Sequence, residues 1–155
     1  VTGVQTCALP ICVDAPVDIT VRGSAGYYCA GMNKQASVVI NGHCGVGVAE
    51  NMMSGAVRVK GNASQSAGAS AHGGLLVIEG DASSRCGISM KGIDIVVHGN
   101  IGHMSAFMAQ SGNMVVLGDA GEALGDHLDR GGFGVADHSR RGPEPEGDGP
   151  TRVVG

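Results

Sequence analysis

The chain has no tryptophan, two tyrosines and two phenylalanines in 155 residues. A core without large aromatics must be thin, which suits a narrow stack of coils better than a broad sandwich. No apolar run approaches ~20 residues, so no membrane span can be read from the sequence. The N-terminus also lacks the basic region and following apolar stretch of a secretory signal. Positive charge is scarce: ten Lys and Arg stand against fourteen Asp and Glu, for a net charge of -4. Lys34, Lys60, Lys91 and the string HSRRG form no basic stripe, which argues against a nucleic-acid partner. The five cysteines include no C-x-x-C pair and no iron-sulfur spacing.

Glycine, by contrast, is abundant at 28 residues, and part of it is periodic. Gly23, Gly42, Gly61, Gly80, Gly99 and Gly118 follow one another at steps of 19 residues. Four residues before each glycine stand Ile19, Val38, Val57, Leu76, Ile95 and Met114, and two before it Val21, Ile40, Val59, Ile78, Val97 and Val116. Two residues after it come Ala25, Cys44, Ala63, Ala82, Ile101 and Ala120. All eighteen residues of these columns are apolar, where a 43% apolar composition predicts about eight.

Apolar residues at alternate positions put one face of a short strand and its exit turn inward. The residue after each glycine (Ser24, His43, Asn62, Asp81, Asn100, Asp119) is mostly of a turn-forming type that bonds nearby backbone. The columns three and seven residues after the glycine hold only Gly, Ala and Ser, small enough for one coil to lie close upon the next. A 19-residue coil cannot bury its strand alone, so coils must stack and pair their strands in parallel. The expected fold is all-β, a parallel β-helix or single-stranded solenoid with 19-residue coils. Its strands fall near residues 18–22, 37–41, 56–60, 75–79, 94–98 and 113–117, and six of them make a rod roughly 29 Å long. A leucine-rich repeat lacks its leucine ladder here, and its helices would fall in Gly/Ala/Ser-rich stretches. A left-handed hexapeptide helix fails because 19 is not a multiple of six.

The ends break the register. Residues 1–12 read as a non-native leader, because they ignore the repeat and 1–11 resemble the conceptual translation of a short-read sequencing adapter. The repeat domain is expected over 13–136, and 137–155, Pro/Gly/charged with Asp137 at the register position, reads as a disordered or aberrant tail.

The string GDAGEALG, with its echoes GNIGHMSA, GDASSRCG, GNASQSAG, GHCGVGVA and GSAGYYCA, resembles the GXGXG domain. That domain is the right-handed β-helix at the C-terminus of the large subunit of glutamate synthase, and it also occurs in a subunit of formylmethanofuran dehydrogenase. The strings YYCAGMNKQASVVING and GHMSAFMAQ, and the continuous stretch between Gly45 and Gly92, look most like the free-standing GXGXG subunit of N-methylglutamate synthase and its glutamate-synthase-like relatives. The resemblance covers residues 13–128 or so. It implies a non-catalytic scaffold subunit in a complex that joins methylamine to glutamate. The implied partners are an amidotransferase-like subunit and a glutamate synthase-like subunit that carries FMN and an iron-sulfur cluster. No catalytic, cofactor or metal residue comes over from the family, so none is expected on this chain.

The alternative is an independent β-helical enzyme or binding module, such as a zinc carbonic anhydrase-like protein. Zinc needs three or four convergent ligands. His43, His72, His98 and His103 each occupy a different column of the repeat, which disfavours convergence. The glycine strings precede strands rather than helices, so they do not read as phosphate loops. Ser64, Ser66 and Ser70 lack a paired His and acid in a strand-turn-helix setting. Cys29 and Cys86 share a column but lie about 14 Å apart in a stack, beyond disulfide reach. Cys44 falls in an inward column. Reduced thiols and a cytoplasmic location are the expectation.

A rod offers surface rather than a pocket, and methionine marks the candidate surface. Met32, Met52, Met53, Met90, Met104 and Met108, with Phe107, lie five to eleven residues after a register glycine, while Met114 lies in a strand. Two readings stand: these side chains fill gaps on the wide side of the core, or they face outward as an apolar patch that a partner covers. The candidate interface under the second reading is Asn51, Met52, Met53, Met90, Lys91, Phe107, Met108 and Gln110.

Overall fold

The computed structural model describes residues 10–127. The first nine residues of the expected leader, the end of the expected domain (128–136) and the expected tail (137–155) lie outside the described residues. Within them are six strands: β1 (Asp18–Arg22), β2 (Ser37–Asn41), β3 (Ala56–Val59), β4 (Leu75–Ile78), β5 (Lys91–Val97) and β6 (Ser111–Val116). They form one sheet in the order β1-β2-β3-β4-β5-β6, and every neighbouring pair is parallel. The pairing Asp18↔Ser37, Ser37↔Ala56, Ala56↔Leu75 and Leu75↔Asp94 keeps the 19-residue step of the sequence. Consecutive strands that are both adjacent and parallel require the chain to circle once between them. The molecule is therefore a β-solenoid.

Fifteen of the eighteen residues in the three apolar columns are buried. The exceptions are Ile19 and Val21 in the first strand and Ala120 in the last coil, where no described coil covers the end. The opposite wall is built from the residues five to ten after each glycine, and its backbone is unusual. In every coil the fifth, seventh and ninth residues have positive φ, as in Tyr28 (57°), Ala30 (57°) and Met32 (53°), or Arg85 (61°), Gly87 (65°) and Ser89 (52°). The left-handed region costs an ordinary residue about 1–2 kcal/mol. Here it turns successive N–H groups alternately up and down the stack. Tyr28 donates to Val46 O at 2.8 Å in the coil above, Ala49 to Cys29 O at 2.9 Å in the coil below, and Met32 to Glu50 O at 2.8 Å above. Turns from Glu50 N–H to Gly47 O (3.1 Å) and Met52 N–H to Ala49 O (3.2 Å) occupy the groups between. The small column at the seventh position follows, since it is both left-handed and pressed on the core. A Cβ on Gly87 would stand 2.5 Å from Met114 Cε and 3.2 Å from Ile95 Cδ1.

The register glycines serve a different need. Apart from Gly23, they do not have positive φ. They are glycine because the coil beneath leaves no room: a Cβ on Gly42 would lie 2.5 Å from the Gly23 carbonyl carbon, and one on Gly118 would lie 2.5 Å from Gly99 O. The residue after each glycine uses that closeness. His43 N–H donates to Ser24 Oγ (3.1 Å), Asn62 N–H to His43 Nδ1 (2.9 Å), Asp81 N–H to Asn62 Oδ1 (3.0 Å), Asn100 N–H to Asp81 Oδ1 (2.7 Å) and Asp119 N–H to Asn100 Oδ1 (2.7 Å). Their side chains therefore bond the next coil, not their own turn. The acceptors of His43, Asn62, Asp81 and Asn100 cross directly over the next register glycine, as Asn100 Oδ1 does 2.6 Å from the Cβ position of Gly118.

Two details differ from the sequence-based expectation. β5 and β6 begin at Lys91 and Ser111, earlier than residues 94 and 113, with a register irregularity between Lys91 and Asp94. Ile93 lies within this irregularity and is fully buried where the neighbouring coils place Gly74 and Gly112. Pro10, Ile11 and Cys12, assigned to the leader, join the stack through Ala30 N–H to Pro10 O (2.7 Å) and Cys12 N–H to Gly31 O (2.9 Å). Backbone pairing of this kind needs no side-chain repeat, which is why the register did not reveal it.

Gly99→Ala should clash with Gly80 O, 2.7 Å from the new Cβ, and lower stability by about 2 kcal/mol or more in urea denaturation. Asn100→Leu, which removes the acceptor of the Asp119 N–H, should cost about 1 kcal/mol.

Candidate interaction surfaces

The structure divides the methionine group. Met52 and Met90 are fully buried and belong to the core, together with Met114. They share one inward column with Asn33, Ala71 and Ala109, in which large and small side chains alternate up the stack. The fit is close: a Cβ on Gly74 would stand 2.6 Å from Met52 Cε. Packing of this kind removes Met52 and Met90 from the expected surface patch. Met53, Met108, Lys91 and Gln110 are exposed, and Asn51 and Phe107 are half-buried. Phe107 meets the His127 ring edge-on, with centroids 5.5 Å apart.

The exposed members do not form one continuous strip. Met32 and Met53 stand near the N-terminal end, and Met108 with Phe107 stands toward the other end. Between them the same positions hold Ser70, His72, Ser89 and Lys91. The N-terminal group is the richer one. Tyr27, 67% exposed, and Tyr28, 51% exposed, join Met32 and Ile11 as exposed side chains of this end. The Tyr28 ring lies across the next coil, its Cδ1 2.6 Å from the Cβ position of Gly47. Sequence columns alone did not single out the tyrosines, although two adjacent aromatics in a chain so poor in them were the available signal.

A second surface is the outward face of the sheet. Its middle column is Thr20, Val39, Arg58, Val77, Val96 and Val115, with Leu75 and Leu117 exposed beside it. Arg58 Nε donates to Glu79 Oε1 at 2.6 Å, across to the neighbouring strand.

Ionisable groups do not gather into a centre. His43 is spent as an acceptor between coils, so Nδ1 is unprotonated and the ring proton sits on Nε2. His72, His98 and His103 are exposed in separate columns. Among the described residues no group of three or more His, Cys, Asp or Glu could hold a metal ion. No helix among them is long and apolar enough to cross a membrane. Cys29, Cys44 and Cys86 are free and buried, while Cys12 is free and exposed. Burial pushes the Cys29 thiol up to about 11 and the Cys44 and Cys86 thiols up to about 12.

No family model matches the chain, and no solved structure matches it. Among curated proteins it is similar to Protein GlxC of Rhizobium meliloti (strain 1021), 69% identical over 46 residues, or 30% of this chain. That stretch spans 20% of the relative's length.

The thiols give a direct check. With Cys7 replaced by serine, a thiol reagent at pH 8 should modify Cys12 in the folded chain, and Cys29, Cys44 and Cys86 only after denaturation. Because the buried thiols ionise above their ordinary value of 9.0, their stabilising contribution is complete below about pH 9 and is lost as pH rises toward 11–12. Replacing all three by alanine should flatten that alkaline decline in urea titrations.

Proposed function

We propose that this chain is a non-catalytic scaffold subunit of a cytoplasmic glutamate-synthase-like complex, of the N-methylglutamate synthase type. In this reading it bridges an amidotransferase-like subunit and a synthase-like subunit, and the latter carries the FMN and the iron-sulfur cluster. The observation that carries the reading is the distribution of side chains: among the described residues the buried core holds no aromatic, yet Tyr27, Tyr28, Met32 and Met53 are all exposed on the first coils of the rod. Exposed aromatics and methionines in one place are what a partner interface uses. The 19-residue GXGXG-like coil and the likeness to Protein GlxC support kinship with glutamate-synthase-like proteins at the level of family. The finer assignment to methylamine and glutamate rests on the sequence resemblance.

Met52 and Met90, being core, act in this reading through the shape of the rod. Contact falls to the exposed Tyr27, Tyr28, Met32 and Met53 at one end, and to Met108, Phe107, Lys91 and Gln110 further along. Groups spaced along the stack suit a bridge between two bodies.

Co-expression with amidotransferase-like and flavin synthase-like chains from neighbouring reading frames should yield a stable ternary complex. The flavin and iron-sulfur absorbance should travel with the synthase-like chain and be missing from the isolated rod. Tyr27→Asp with Met53→Asp should abolish capture of at least one partner and leave the circular dichroism of the rod unchanged. A rod that captures neither partner, or that carries flavin alone, would overturn the reading.

A further inference from the structure

The outward face of the sheet lies about half a coil from the exposed tyrosines, and the proposed function does not use it. Val39, Val77, Val96 and Val115 form an apolar seam down its middle, interrupted by Arg58. Aligned sheet faces pack through such seams, about 10 Å apart. We propose that this face seats a second copy of the same chain, turned by a two-fold axis that runs parallel to the strands and passes between β3 and β4.

Charge and shape select both the occupant and the axis. That rotation lays β3 on the second copy's β4 and β2 on its β5. Val39 then meets Val96, Ala56 meets Leu75, and the aliphatic stem of Arg58 meets Val77. Lys60 meets Glu79, and Asp94 meets Ser37, a hydroxyl donor. No carboxylate faces a carboxylate, and no cation faces a cation. A two-fold parallel to the stack and running along the middle column would lay Arg58 on Arg58 and is disfavoured by like charge. The face is thus complementary to itself in one orientation, as an isologous contact requires.

Its size sets the strength. Six strands at ~4.8 Å by roughly five residues at ~3.3 Å give a face of about 480 Å² per copy, or about 950 Å² in total. This lies below the ~1,200–2,000 Å² of stable complexes, so the dimer is weak and forms at concentrations of roughly 10–1,000 μM.

Sedimentation equilibrium across that range should show a reversible monomer–dimer exchange. Val96→Arg should raise the dissociation constant at least ~10-fold with unchanged circular dichroism, whereas Met53→Asp should leave it unchanged. Should Val96→Arg fail to fold, Val39→Glu makes the same test on β2. Orientation is read with a short bis-maleimide in a background where Cys7 and Cys12 are serine. A mixture of Val39→Cys and Val96→Cys chains should cross-link, while neither variant should do so alone. A chain that stays monomeric at ~1 mM, a dimer indifferent to both substitutions, or Val96→Cys cross-linking to itself would each overturn the proposal.

Discussion

The structure depends on how closely one coil lies on the next at the register glycine. There the backbone of a coil runs within van der Waals distance of the one below, and a side chain from below crosses the gap to accept the following N–H. Ser24, His43, Asn62, Asp81 and Asn100 make that crossing in turn, each bonding a coil away. A Cβ at Gly61 or Gly118 would fill the space the crossing needs. Glycine at one position and a short polar acceptor at the next are therefore one device, and its repetition fixes the 19-residue step. A longer coil would lose the bond and a shorter one would collide.

Everything else follows the step. Once coils are locked in register, the −4 and −2 columns align inward and fill one wall of a thin core. The opposite wall accepts left-handed residues at three positions per coil, because each such turn aims an N–H at a carbonyl in a neighbouring coil. The strain of one residue is offset by a hydrogen bond that exists only in the stack. Stability is accordingly a sum over neighbouring coils rather than the property of a single globular centre. Among the described residues no three His, Cys, Asp or Glu converge, and His43, His72, His98 and His103 are dispersed over separate columns.

The fold was legible because its period is strict. Eighteen apolar residues in three columns located all six strands to within a few residues. The polar column after the glycine was visible too, but its partner was not: residue type alone does not distinguish an acceptor that serves its own turn from one that serves the next coil. The left-handed wall was half legible. Its seventh position shows as a small-residue column, while Tyr28, Arg85 and Met104 at the fifth carry no mark of positive φ. The surface was the least legible part. Met52 and Met53 are adjacent and chemically identical, yet one is fully buried and the other is exposed. Only the direction of the wall separates them, and the exposed tyrosines emerged for the same reason.

The central claim is that each 19-residue coil is a self-consistent unit whose register is set at the glycine. Its most direct test is an insertion. Duplicating residues 43–80, two whole coils, after Gly80 continues both the polar crossing and the alternation of Met52 with Ala71. Urea denaturation should then show one cooperative transition with an m-value larger by about a third, in proportion to the added buried surface. An unchanged m-value, with the inserted residues exchanging their amide protons freely, would contradict the account.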